Sequence, residues 1–195
     1  LPDKLERVSV DEFETESDVV VVLGGDGTLL HAASLLRTQI TPVLGVNLGR
    51  LGFMAAFAVD ELDRALPAAF AGELPHVDRL RLDAKVWRNG RVILERRILN
   101  DAALTPAGMA RLSQYQIFQG QQLVTSRIFV SGQREVHATL EGQVGVVARP
   151  GDSLQRELAP VPMRLLQAPW RDYFQTLREK LKWGEPLVDG PRGTH

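Results

Sequence analysis

The chain has 195 residues, 44% of them hydrophobic, with 23 Lys and Arg against 24 Asp and Glu. That is enough for one large domain or two small ones, and a formal charge of −1 gives no bulk attraction to nucleic acid or an anionic membrane. Without cysteine there is no disulfide, no thiolate zinc site and no cysteine nucleophile, a composition compatible with a reducing compartment. No apolar stretch approaches membrane-spanning length and no signal-peptide pattern opens the chain, so a cytoplasmic protein is expected. The first residue is Leu1 rather than Met, and is not expected to be the biological start.

Residues 18–23, with the apolar run Val19 to Leu23, read as a buried strand. It runs straight into Gly24-Gly25-Asp26-Gly27-Thr28. Glycines there let backbone approach a ligand closely. Residues 28–38 read as a helix, so N–H groups at its start point at the loop and favour phosphate. Asp26 would repel phosphate unless it held a metal or a proton, which points to phosphoryl transfer; the bland alternative is a tight βα turn with an incidental Asp. Pro42 to Asn47 reads as a second buried strand, completing a right-handed βαβ unit. Asp60 is expected to cap a short helix from Glu61 to Phe70, distorted by Pro67.

From Val77 the pattern alternates: Leu80, Leu82, Ala84 and Val86 against Arg79, Arg81, Asp83 and Lys85. That is a half-buried strand, and Asn89-Gly90 is a type I′ hairpin signal leading into Val92-Ile93-Leu94. Further short strands are expected after Asn100-Asp101 and over 114–118, 121–125, 127–130, 134–140 and 144–147. Turn residues separate most of them, but none lies between Ser126 and Arg127. From Pro169 a helix is expected, with Tyr173, Phe174, Leu177 and Leu181 on one face. No repeat or low-complexity segment is seen.

Three segments in order resemble the NAD kinase family: Gly24-Gly25-Asp26-Gly27-Thr28, Gly45-Val46-Asn47-Leu48-Gly49-Arg50-Leu51-Gly52-Phe53, and Leu99-Asn100-Asp101. Arg149-Pro150-Gly151-Asp152 and the run from Asp172 to Gly184 are similar to bacterial members. The first motif is shared with diacylglycerol and sphingosine kinases, and nearly so with phosphofructokinases; the second and third, at these distances, are specific. The resemblance implies an α/β protein: a Rossmann-like N-terminal part, a β-rich, sandwich-like domain, and a C-terminal segment returning to the first part. The expected division is 1–75 with 168–195, and 76–167 for NAD binding and oligomerisation.

The resemblance also implies transfer of the γ-phosphoryl of ATP, or of polyphosphate, to the 2′-hydroxyl of the adenosine ribose of NAD, giving NADP. A ribose hydroxyl is a poor nucleophile, so a carboxylate in reach can take its proton; Asp26 is the candidate catalytic residue. Mg²⁺ is expected with the donor phosphates, no protein metal site is expected, and no Walker lysine pattern is present. Candidate binding residues are Gly24, Gly25, Gly27, Thr28, His31, Asn47, Phe53, Asn100, Asp101, Arg111 and Gln143. Asn100 and Asp101 can bind a ribose diol or an amide-bearing ring, though a polar strand end would look the same. Phe53 reads equally as an adenine contact or as core, while His76 and His137 carry no role. A homodimer or homotetramer is implied, with no nucleic acid or membrane partner.

Two departures stand out. Glu141 in Leu140-Glu141-Gly142-Gln143 replaces the family's usual Asp and is one methylene longer. The family's central substrate segment, Asp-Gly followed by Thr-Pro-Thr-Gly-Ser-Thr-Ala-Tyr and Gly-Gly-Pro, is absent, and its place is the seam at Ser126/Arg127. Residues missing from the sequence as read would leave a break there, the favoured reading; a true deletion would favour a non-catalytic dinucleotide-binding protein. A lipid kinase is the other rival, against which the polar Asn100-Asp101 pair argues.

Overall fold

The computed structural model describes residues 6–49, 52–106, 114–119, 125–131 and 135–171. A short helix, α1 (Val10–Thr15), opens them, closed at its start by a reciprocal cap in which Ser9 and Glu12 exchange side-chain and backbone bonds. The periodicity gave no warning of it. β1 (Val20–Leu23), α2 (Asp26–Leu35) and β2 (Pro42–Asn47) form the expected parallel βαβ unit, Val20 lying opposite Val43 and Leu23 opposite Val46. α2 starts two residues earlier than expected, which places Asp26 and Gly27 in its first turn.

β3 (Phe57–Ala58) pairs with β2, and a 3-10 turn over Val59–Glu61 leads into α3 (Leu62–Phe70). Asp60 is not the expected cap: Glu61 reaches back to the Ala58 amide at 2.8 Å instead, and Pro67 lies within α3. β4 (His76–Arg79) pairs antiparallel with the last described strand, β13 (Met163–Leu166), which itself runs parallel to β2. The first sheet is therefore ordered β1-β2-β13-β4, with β3 beside β2. Residues 76–79 and 163–166 thus hydrogen-bond into the N-terminal sheet, although alternation alone places them with the β-rich part.

That part holds two sheets. β5 (Leu82–Arg88) and β6 (Arg91–Ile98) form the hairpin foreseen at Asn89-Gly90, whose φ values of 48° and 76° suit the type I′ turn. With β8 (Gln114–Gln119), β9 (Thr125–Ser131) and β12 (Ser153–Leu158) they give the order β6-β5-β12-β9-β8. The other sheet is β11 (Val144–Ala148), β10 (Val136–Leu140) and β7 (Ala102–Pro106). Ala84, Val86, Ile98 and Leu154 from the first of these pack against Val136, Ala138, Leu140 and Ala148 from the second. Two antiparallel sheets sharing one apolar core make a sandwich, as expected.

No break separates Ser126 from Arg127. β9 passes through both in unbroken register, Ser126 opposite Arg156 and Gln119, Arg127 opposite Gln155 and Phe118. Of the two short strands expected to abut there, 121–125 lies outside the described residues except for Thr125; β9 joins that residue to the second, 127–130, because β-propensity continues across the join and partners exist on both sides. The C-terminal helix expected from Pro169 falls largely outside the described residues; Arg171 donates its amide to the Ala168 carbonyl in a turn.

Arg81 marks the crossing between the two parts. It is 1% exposed, and its guanidinium donates to the carbonyls of Ala33 and Leu36 at the end of α2 and to those of Val161 and Pro162 in the returning link. Burial first, then the neighbouring Arg97 charge, lower its pKa to about 10, so it remains a cation at neutral pH. The cation meets the negative end of α2 and ties both crossings to it.

Candidate active site

The turn between β1 and α2 is built around Gly24. Its φ of 154° and the Thr28 side chain beside it leave no room for a Cβ, while its amide donates to the Val46 carbonyl at 2.8 Å. Gly25 caps α2 without a side chain, and a Cβ at Gly25 or Gly27 would meet open space. The helix start thus presents backbone N–H groups to an unobstructed surface, the arrangement that favours phosphate oxygens.

Asp26 is held by backbone amides. Its Oδ2 accepts the Phe53 amide at 2.9 Å, and its Oδ1 accepts those of Met54 at 3.0 Å and Ala55 at 3.3 Å. Three successive N–H groups converge on one carboxylate and meet its charge. Gly52 makes this possible, since a Cβ there would overlap Asp26 Oδ1. A carboxylate offers about four acceptor sites, and among the described residues these three amides leave one on Oδ2.

Phe53, Met54, Arg79, Leu80, Leu99, Asn100 and Leu165 line a cavity of about 480 Å³. Phe53 is 45% exposed rather than core. The structure therefore brings together Phe53 and Asn100, with Asp26 joined to Phe53 through the amide. Thr28 and His31 are exposed on α2, and Asp101 is exposed beside Asn100. Asn47 is buried, and its Oδ1 accepts the Gly49 amide at 2.8 Å, shaping the turn after β2. Arg111 lies outside the described residues. Gln143 is engaged within the protein: Nε2 donates to the Gly27 carbonyl at 2.7 Å and Oε1 accepts from Arg96 Nη2 at 2.8 Å. Among the described residues no three His, Asp or Glu side chains form a metal-binding group.

Several contributors escaped the motif reading. Arg79, Leu80 and Leu165 reach the cavity only because β4 and β13 join the first sheet, a pairing between distant segments that carries no local signal. Arg96 sits in an ordinary run of strand charges. Glu141 was visible as an atypical residue beside Gly142-Gln143, but its partners were not.

A family model described as the ATP-NAD kinase N-terminal domain matches residues 3–74. The NAD kinase of Geobacter metallireducens is 31% identical over 235 aligned positions, spanning 91% of this chain and 83% of the relative. That of Geobacter sulfurreducens is 31% identical over 232 positions, spanning 90% and 82%. The chain belongs to the NAD kinase family. This NAD kinase family member also shares its fold with yeast NADH kinase, solved with NADH, at a TM-score of 0.76 and 17% identity over 94% of this chain and 71% of that one. An NAD kinase from Archaeoglobus fulgidus, solved with ATP, gives a TM-score of 0.55 at 17% identity over 88% and 85%. In the Geobacter metallireducens alignment, 91% of this chain is about 177 residues against 235 positions, so about 58 positions have no counterpart in this family member.

Proposed function

We propose that the protein is an NAD kinase that moves the γ-phosphoryl of ATP, or a phosphoryl of polyphosphate, onto the 2′-hydroxyl of the adenosine ribose of NAD, giving NADP. The observation carrying this reading is the joint placement of three features. The start of α2, uncrowded at Gly25 and Gly27, suits the donor phosphates, Asp26 Oδ2 keeps one acceptor site among the described residues, and Phe53 and Asn100 share a cavity. In the step, the hydroxyl oxygen bonds to the γ-phosphorus, its proton passes to Asp26 Oδ2, and the bond to the leaving diphosphate breaks. Gly24, Gly25, Gly27 and Thr28 border the phosphates. Asn100 and Asp101 are assigned to ribose or an amide-bearing ring, Phe53 to the base, and His31, Asn47 and Arg111 to supporting contacts. The divalent ion, Mg²⁺ by the resemblance, enters as part of the nucleotide substrate. The division into parts at 75 and 168, a homodimer or homotetramer, and a cytoplasmic location belong to the same proposal.

The test is formation of NADP from NAD with Mg·ATP and with polyphosphate, alongside calorimetric binding of NAD and a diacylglycerol control acceptor. NADP formation supports the reading, and phosphorylated diacylglycerol would replace it with a lipid kinase. The roughly 58 unmatched positions favour a second reading, a dinucleotide-binding protein without turnover; NAD binding with no NADP would establish it.

A further inference from the structure

We propose that the turn Glu141–Gln143 is a positioning element that holds the glycine loop and the Asn100-Asp101 pair at a fixed separation. Glu141 is 7% exposed, and one oxygen, Oε1, accepts the amides of both Leu99 and Asn100 at 2.7 Å. Its own amide donates to the Asp101 carbonyl at 3.0 Å. The backbone on both sides of Asn100 is thereby fixed by a single residue. Two residues on, Gln143 holds the Gly27 carbonyl in the first turn of α2 at 2.7 Å. Arg96 Nη2 backs it, donating to Gln143 Oε1 at 2.8 Å and to Ser34 Oγ of α2 at 3.1 Å. One three-residue turn therefore grips both halves of the site, on opposite sides of the join between the two parts.

The backbone reports the same constraint. Glu141 has φ of 60° and Gly142 of 63°, the left-handed region that a glutamate rarely adopts. In that conformation the carboxylate accepts the Leu99 and Asn100 amides while Gln143 reaches α2. Oε2 of Glu141 is buried without a partner among the described residues, so the side chain is kept there by what Oε1 does. Gln143 is thus a positioning residue rather than a ligand contact, and Glu141 is its counterpart on the acceptor side.

The proposal rests on the kinase reading for its consequence but is testable without turnover. Gln143→Leu touches neither Leu99 nor Asn100, yet it should speed amide hydrogen exchange at both by about tenfold, because the turn loses its hold on α2. Unchanged exchange at those two amides would overturn the proposal, whether or not the protein makes NADP. Faster exchange in a protein that makes no NADP would keep the proposal and sink the kinase reading. In an active protein, Gln143→Leu and Glu141→Leu should each lower kcat about 10- to 100-fold with KM for NAD and ATP changed far less. Glu141→Gln, whose Oε1 can still accept both amides, should restore most of it. The double Leu variant should be no slower than the slower single, since either change uncouples the halves. Losses that multiply would show two independent contacts and overturn the claim.

Discussion

At the residue scale, the site turns on how Asp26 is held. Oδ1 is occupied by two amides and Oδ2 by one, so the proton acceptance proposed for Asp26 falls to Oδ2. Asp26→Asn keeps the shape but turns an acceptor into an NH₂ donor facing N–H groups. Phosphoryl transfer should fall by about 10²–10⁴, with the far-ultraviolet circular dichroism unchanged; near-normal turnover would remove Asp26 as the base. Gly52→Ala probes the same point from outside. Its methyl group would displace Oδ1, so kcat should fall by about 10² through misplacement of the carboxylate while NAD affinity changes little. Equal loss of binding and turnover would mean the change had damaged the loop as a whole. Asp26, Phe53 and Asn100 each lie in one of the three motifs, so the sequence names them as candidates, with Phe53 open between ligand contact and core until its 45% exposure is seen. Gly52 was legible as a motif glycine, but its reason, room for a carboxylate 26 positions away, exists only in the fold.

At the element scale, the attachment of the returning segment depends on Glu61. Its Oε1 accepts Trp170 Nε1 at 2.7 Å and Arg171 Nε at 3.1 Å, and the Arg64 guanidinium lies 3.8 Å over the Trp170 ring. Burial pushes the Glu61 carboxyl up, but the Ala58 amide, the Trp170 indole and the Arg171 and Arg64 guanidinium groups outweigh it and hold its pKa below the ordinary value. A carboxyl depressed in the fold adds stability above its unfolded pKa and loses it as pH falls through the folded one. The urea-midpoint gap between wild type and Glu61→Gln should therefore be constant from about pH 8 to 5 and close below about pH 4. A gap that persisted at low pH would assign the effect to packing. The βαβ unit, the Asn89-Gly90 hairpin and most sandwich strands could be read from period and turn chemistry. α1, β12 and β13 could not: α1 is defined by its cap, and β13 is four residues whose identity as strand comes from β2 and β4 on either side.

At the scale of the whole molecule, β9 bears on the unmatched positions. A strand in register on both sides across Ser126 and Arg127 accommodates the direct join, so a tryptic peptide covering 112–127, with Ser126 bonded directly to Arg127, should be found by mass mapping. A longer peptide in its place would mean that the join carries an insertion absent from the sequence. The sheet order has another consequence. The family model ends at residue 74, yet on the flank away from β1 the start of β2, Pro42 and Val43, pairs with Arg164 and Leu165. During synthesis the first sheet must wait, with only the end of β2 covered on that flank by β3, until some ninety further residues have been made, a long-range closure of the kind that slows folding. A recombinant fragment ending at residue 75 would keep that apolar flank open to its own copies. It should pellet at concentrations where the full chain stays in the supernatant, and adding back a peptide spanning 160–171 should reduce the loss; a fragment that stayed monomeric by sedimentation would show that β13 is dispensable to the sheet.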